Sequence, residues 1–153
     1  MTIAQQVQKI ETAYDLSEAT FVMVDDNVDE IFLTRRKVRR DGIVNRFVSE
    51  RRPEKLFDSL DELIGMGVEK SSFMILLDVN MPRITGFELL KKIRNHPDYK
   101  ETPVIMFSAS NDEADIFEAM ELGSDGYIVK PFTSEEFFAA LTGVPRVKKR
   151  LLM

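Results

Sequence analysis

Acidic residues stand where two short apolar runs stop. FVMV (21–24) runs into Asp25-Asp26-Asn27, and FMILL (73–77) into Asp78-Val79-Asn80. Two further runs end in groups that suit an anion. PVIMF (103–107) leads to Ser108-Ala109-Ser110, and YIV (127–129) to Lys130-Pro131. A carboxylate can attack phosphorus and form an aspartyl phosphate. Phosphoryl transfer also requires positive charge against the equatorial oxygens and a nucleophile held in line. Three carboxylates in one cleft repel and raise one another's pKa. A hard divalent cation relieves that repulsion, and oxygen-only ligands suit Mg²⁺. Taken singly, each residue has an ordinary explanation: an Asp that shapes a loop, a Ser that caps a helix, a solvated Lys. Asn27, Asp29 and Ser110 suit such capping roles. The conjunction argues for chemistry, because acid pair, acid, hydroxyl and ammonium fall at the ends of four separate runs.

Those runs must be strands for the groups to converge. Three are nearly continuous in apolar residues, as strands buried on both faces are. A fifth, IVNRFV (43–48), is mixed and suits a sheet edge. Between them apolar residues recur at helical spacing over 28–40, 86–94, 112–122 and 134–141, and Pro53 to Leu63 reads as a further helix. Thr85-x-x-Glu88, Ser110-x-x-Glu113 and Thr133-x-x-Glu136 have the form of capping boxes. Gly42, Gly123 and Gly143 mark helix stops, and Asn95-His96-Pro97 ends another. Strands alternating with helices predict right-handed crossovers and a parallel sheet covered on both faces. Ligands of such sheets bind beyond the carboxyl ends of the strands.

Composition excludes several alternatives. At 153 residues the chain has the size of one domain. It has no cysteine, which removes disulfides, thiolate metal sites and thiol nucleophiles. A net charge of −5 argues against general nucleic-acid affinity. Basic residues gather at Arg35, Arg36, Lys37, Arg39 and Arg40, and again at Arg146, Lys148, Lys149 and Arg150. Both read as solvated surface rather than a DNA contact. No secretory signal or bilayer-length apolar stretch occurs, so a cytoplasmic protein is expected.

The segments VMVDDN (22–27), ILLDVNMPRITGFELL (75–90), PVIMFSAS (103–110) and LGSDGYIVKPF (122–132) resemble the receiver domain of bacterial two-component response regulators, the CheY-like family. The resemblance covers about residues 20–142. It implies a flavodoxin-like α/β fold, a doubly wound five-stranded parallel sheet with helices on both faces. The strand order 2-1-3-4-5 is that of CheY itself and comes with the family. Residues 1–19 are expected to be an N-terminal extension, helical through Ile3, Val7, Ile10 and Tyr14, and residues 143–153 a short basic tail without an output domain.

Carried over by position, the resemblance makes Asp78 the phosphoacceptor. Asp26 would hold Mg²⁺ directly and Asp25 through water, with Asp78 and the Asn80 backbone carbonyl completing the set; Mn²⁺ would substitute. Ser108 would hydrogen-bond the phosphoryl group, Lys130 would pair with it, and Tyr127 would be the switch aromatic that follows Ser108 inward. Pro131 would follow a cis peptide, and Gly86 would permit a tight turn after Pro82. The implied partners are a sensor histidine kinase and a downstream target or relay phosphotransferase. The DEADIFEAMELGSDGYIVKPF stretch (112–132) resembles regulators paired with bacterial phytochromes. Met106, Phe107, Ile116, Phe117, Met120 and Tyr127 offer material for a homodimer surface. The implied chemistry is Mg²⁺-dependent self-phosphorylation and slow dephosphorylation, not catalysis on an outside substrate. Other readings keep less of the pattern. A phosphorylation-independent docking module would not need the acids, Ser108 and Lys130 together. A phosphatase with an Asp nucleophile would want an acid where Asn80 stands.

Overall fold

The structure, a computed structural model, describes residues 19–43 and 45–142. The expected N-terminal helix and basic tail lie outside the described residues. Five strands, β1 (Thr20–Val24), β2 (Phe47–Glu50), β3 (Phe73–Asp78), β4 (Val104–Ser108) and β5 (Gly126–Val129), form one parallel sheet in the order β2-β1-β3-β4-β5. The helices are α1 (Val28–Arg40), α2 (Leu56–Gly65), α3 (Gly86–Asn95), α4 (Glu113–Glu121) and α5 (Ser134–Thr142). This is the flavodoxin-like arrangement expected from the sequence.

Alternation along each strand divides the core in two. Phe21, Met23, Met74, Leu76, Ile105, Phe107 and Ile128 face α1 and α5, packing on Ile31, Val38, Phe137, Phe138 and Leu141. Val22, Val24, Ile75, Leu77, Val104 and Met106 face the other helices, packing on Leu56, Leu60, Leu89, Leu90, Ile93 and Ala119. Burial of both faces of β1, β3 and β4 explains their unbroken apolar runs.

Two local expectations need correction. The second strand starts at Phe47, not residue 43. Ile43 is buried and its N–H donates to the Val38 carbonyl, so it closes α1 rather than pairing. Gly42, at φ 89°, makes the left-handed turn that sets up this closure. Pairing with β1 begins only at Phe21 opposite Phe47. At α4 the cap is Asp112, whose carboxylate accepts the Ala114 N–H at 2.9 Å. Ser110 instead accepts the Asp112 N–H and donates to Asp115. The other caps follow the sequence: Thr85 accepts the Glu88 N–H at 3.2 Å and Thr133 the Glu136 N–H at 3.1 Å.

Candidate functional site

Sheet order places β1 and β3 side by side, so their ends bring three acids together. Ligand oxygens of Asp25, Asp26 and Asp78 all lie within 4.8 Å of one another. Asp25 and Asp78 are buried, and Asp26 is the least buried of the three. Asn27 turns the chain from β1 into α1. Its side chain accepts the Asp29 and Glu30 N–H groups, while its own N–H donates to Asp25 Oδ1 at 2.9 Å. That bond leaves Asp25 Oδ2 as a buried oxygen without a hydrogen-bond partner among the described residues.

From β5, Lys130 reaches back to the same point. Its Nζ donates to Asp78 Oδ1 at 2.9 Å and lies 3.6 Å from Asp25 Oδ2. It also donates to Glu30 on α1. The Lys130–Pro131 peptide is cis. Ser108 ends β4 fully buried, its Oγ accepting the Ser110 N–H at 3.0 Å, and its carbonyl accepts the Lys130 N–H at 2.8 Å. Asn80 lies exposed in the loop after β3. Tyr127, on the face that packs against α4, donates its hydroxyl to the Ser110 carbonyl at 3.1 Å.

Electrostatics follow from this crowding. Burial, with the nearby Asp78 and Glu30 charges, pushes the Asp25 carboxyl up to about 7 despite the Asn27 N–H and Lys130. Burial also raises Asp78, against the pull of Lys130. Burial alone would lower Lys130, but its carboxylate partners outweigh that and raise it. An oxygen-only set with a buried oxygen that accepts no hydrogen bond among the described residues, and with crowding that raises the Asp25 carboxyl, fits a hard divalent cation. Past Asp26 the site opens into a cleft lined by Ser49, Glu50, Arg51, Arg52 and Arg83.

Gly86 contributes through space rather than through φ. A Cβ there would stand 2.3 Å from the Asp78 carbonyl oxygen and 2.8 Å from Val79 Cα. Its N–H also donates to the Val79 carbonyl. The amino end of α3 therefore rests on the backbone that carries Asp78, and only glycine permits that approach.

The structure thus brings Asp25, Asp26, Asp78, Ser108 and Lys130 to one end of the sheet, with Tyr127 linked through the β4–α4 loop. It also brings Glu30, which the sequence did not single out. An acid in the first turn of a helix is accounted for by the helix dipole. The one available signal was its place four residues after Asp26, in the first turn of the helix that follows the acid pair.

The model of the response regulator receiver domain matches residues 21–142. The chain belongs to that family. Receivers are phosphorylation-based signalling modules of two-component systems rather than conventional enzymes, and they bind Mg²⁺ or Mn²⁺. Among curated relatives, this receiver is 35% identical over 120 residues to the transcriptional regulatory protein ResD of Bacillus subtilis, covering 78% of this chain and 45% of ResD. It spans about half or less of the length of the curated relatives it matches first. Among solved structures it resembles the bacteriophytochrome response regulator AtBRR, with a TM-score of 0.70 and 25% identity over 82% of this chain and 91% of that one. It also resembles chemotaxis protein CheY4 of Vibrio cholerae, with a TM-score of 0.64 and 26% identity over 82% of this chain and 98% of that one. No described helix is long and apolar enough to cross a membrane.

Proposed function

We propose that this receiver accepts a phosphoryl group on Asp78 from the phosphohistidine of a sensor kinase in the cytoplasm. The observation that carries the proposal is the Asp78 carboxylate itself. It is buried at the end of β3, held by Lys130 at 2.9 Å and within 4.8 Å of two further acids. An Asp78 oxygen forms the new bond to phosphorus as the bond to the donor nitrogen breaks, and the electron pair leaves with that nitrogen. Asp25, Asp26, Asp78 and the Asn80 carbonyl would hold Mg²⁺, or Mn²⁺ in its place. When bound, the ion neutralises negative charge that the transferring group brings to the site. Lys130 pairs with the phosphoryl oxygens, and Ser108 turns its hydroxyl toward them. The Arg51, Arg52 and Arg83 side chains beside Asp26 favour approach of an anionic donor.

The signal leaves through Ser108 and Tyr127. Movement of the Ser108 hydroxyl changes the β4–α4 loop whose Ser110 carbonyl holds Tyr127. Phe117 and Met120 on α4, 66% and 67% exposed, are available for a second copy or a target, whereas Met106 and Phe107 are core. Likeness to AtBRR supports a bacteriophytochrome as the kinase, with a downstream protein or a relay phosphotransferase receiving the signal.

The test is incorporation from acetyl phosphate, with and without Mg²⁺, on wild type and Asp78→Asn, read by intact mass. We expect a Mg²⁺-dependent adduct on wild type and none on the variant. Wild type that binds Mg²⁺ yet takes up no phosphoryl group would point instead to a docking module.

A further inference from the structure

Lys130 carries more partners than phosphoryl chemistry asks of it. Among the described residues three carboxylates surround its ammonium: Asp78, Asp25 and Glu30. The first two belong to the acidic cluster and are buried, so they cannot turn away. Glu30 stands outside that cluster, with 40% of its side chain exposed. It reaches Lys130 across one hundred residues of sequence from the first turn of α1. An ammonium has three hydrogens to donate. With Glu30 engaged, Lys130 is committed before any phosphoryl group arrives.

Phosphorylation changes that balance. A group bearing roughly −1.5 to −2 charge would enter where Lys130 already meets Asp78. Glu30 would then compete with it for the same ammonium and add a like charge nearby. Its exposed side chain can swing to solvent, which the buried acids cannot.

Building on the phosphoacceptor reading of Asp78, we propose that Glu30 is a positioning residue that acts through Lys130 as a brake on phosphoryl uptake. Two consequences of opposite sign follow. Removing the Glu30 charge frees Lys130 for an anionic donor and reduces repulsion, so uptake quickens. The same removal leaves the positive charge of Lys130 less compensated beside the acids, so a divalent cation binds more weakly. A merely structural role would not separate the two, because a loosened site loses both.

The experiment compares wild type, Glu30→Gln and Glu30→Asp as full chains of equal thermal stability. Mg²⁺ affinity is measured by calorimetry without a donor, and initial incorporation from acetyl phosphate at saturating Mg²⁺. Glu30→Gln is expected to raise the uptake rate roughly three- to tenfold while weakening Mg²⁺ binding about two- to fivefold, as loss of one partly screened charge at contact distance would. Glu30→Asp, which keeps the charge, is expected to restore Mg²⁺ affinity. Unchanged or slower uptake in Glu30→Gln overturns the brake. Wild type that takes up no phosphoryl group sinks the phosphoacceptor reading instead, and the Mg²⁺ arm still decides whether the Glu30 charge is felt at the site.

Discussion

Two buried ion-pair networks sit at opposite ends of the sheet, and they use charge differently. At the amino ends of β4 and β5, Arg94 pairs with Asp125 at 2.8 Å. The guanidinium also donates to the carbonyls of Gly123, Lys100 and Thr102, and Asp125 also accepts the Val104 N–H. There a planar cation with many donors is matched to its acceptors. At the carboxyl ends one lysine serves three carboxylates, and Asp25 Oδ2 has no hydrogen bond among the described residues. One network ties α3 to the strands. The other crowds negative charge that one lysine only partly offsets, and a divalent cation would relieve it. A single helix joins them: α3 rests on the Asp78 backbone through Gly86 and carries Arg94 one residue before its last.

The comparison breaks most sharply at Arg94. Arg94→Met leaves Asp125 buried without its cation and is expected to cost about 3–5 kcal/mol in urea unfolding. An equal loss is not expected at the other end. Asp25→Asn removes one of the crowded charges, so it should stabilise the Mg²⁺-free protein at neutral pH by on the order of 1–2 kcal/mol while weakening Mg²⁺ binding. Destabilisation by that substitution would mean that the acids are not in conflict.

The pH profile sharpens the same point. Burial lifts the folded-state pKa of Asp25 from 3.8 to about 7. Between those values the folded chain binds more protons than the unfolded one, so stability falls as pH rises through the window. Mg²⁺-free wild type should lose on the order of 1–3 kcal/mol from this group across the window. Excess Mg²⁺, or Asp25→Asn, should flatten the slope, as followed by denaturant melts at stepped pH. The smallest effect concerns the connecting helix. Thr85→Ala removes the α3 cap and is expected to cost about 1 kcal/mol, with incorporation at Asp78 unchanged. A fall in incorporation would show that the cap itself positions the Asp78 backbone.

What the sequence determined by itself was local and periodic. Apolar runs ending in Asp25-Asp26, Asp78, Ser108 and Lys130 required only that strands stop where polar chemistry begins. Thr85 and Thr133 announced their helices because a cap bond spans three residues. Tertiary structure decided the rest. Ile43 looked like strand and became the plug of α1, since a buried side chain packs equally well in either role. Ser110 lost its cap to Asp112 because it was drawn to Asp115 and to the loop that meets Tyr127. Glu30 and Lys130, like Arg94 and Asp125, are ordinary helix and loop charges until the sheet order makes them neighbours. Gly86 reads as a turn glycine, yet it is needed because a helix end lies against the Asp78 backbone. Periodicity carries which face of an element is buried; which charge meets which depends on distances across the sheet, and those exist only once the strands have paired.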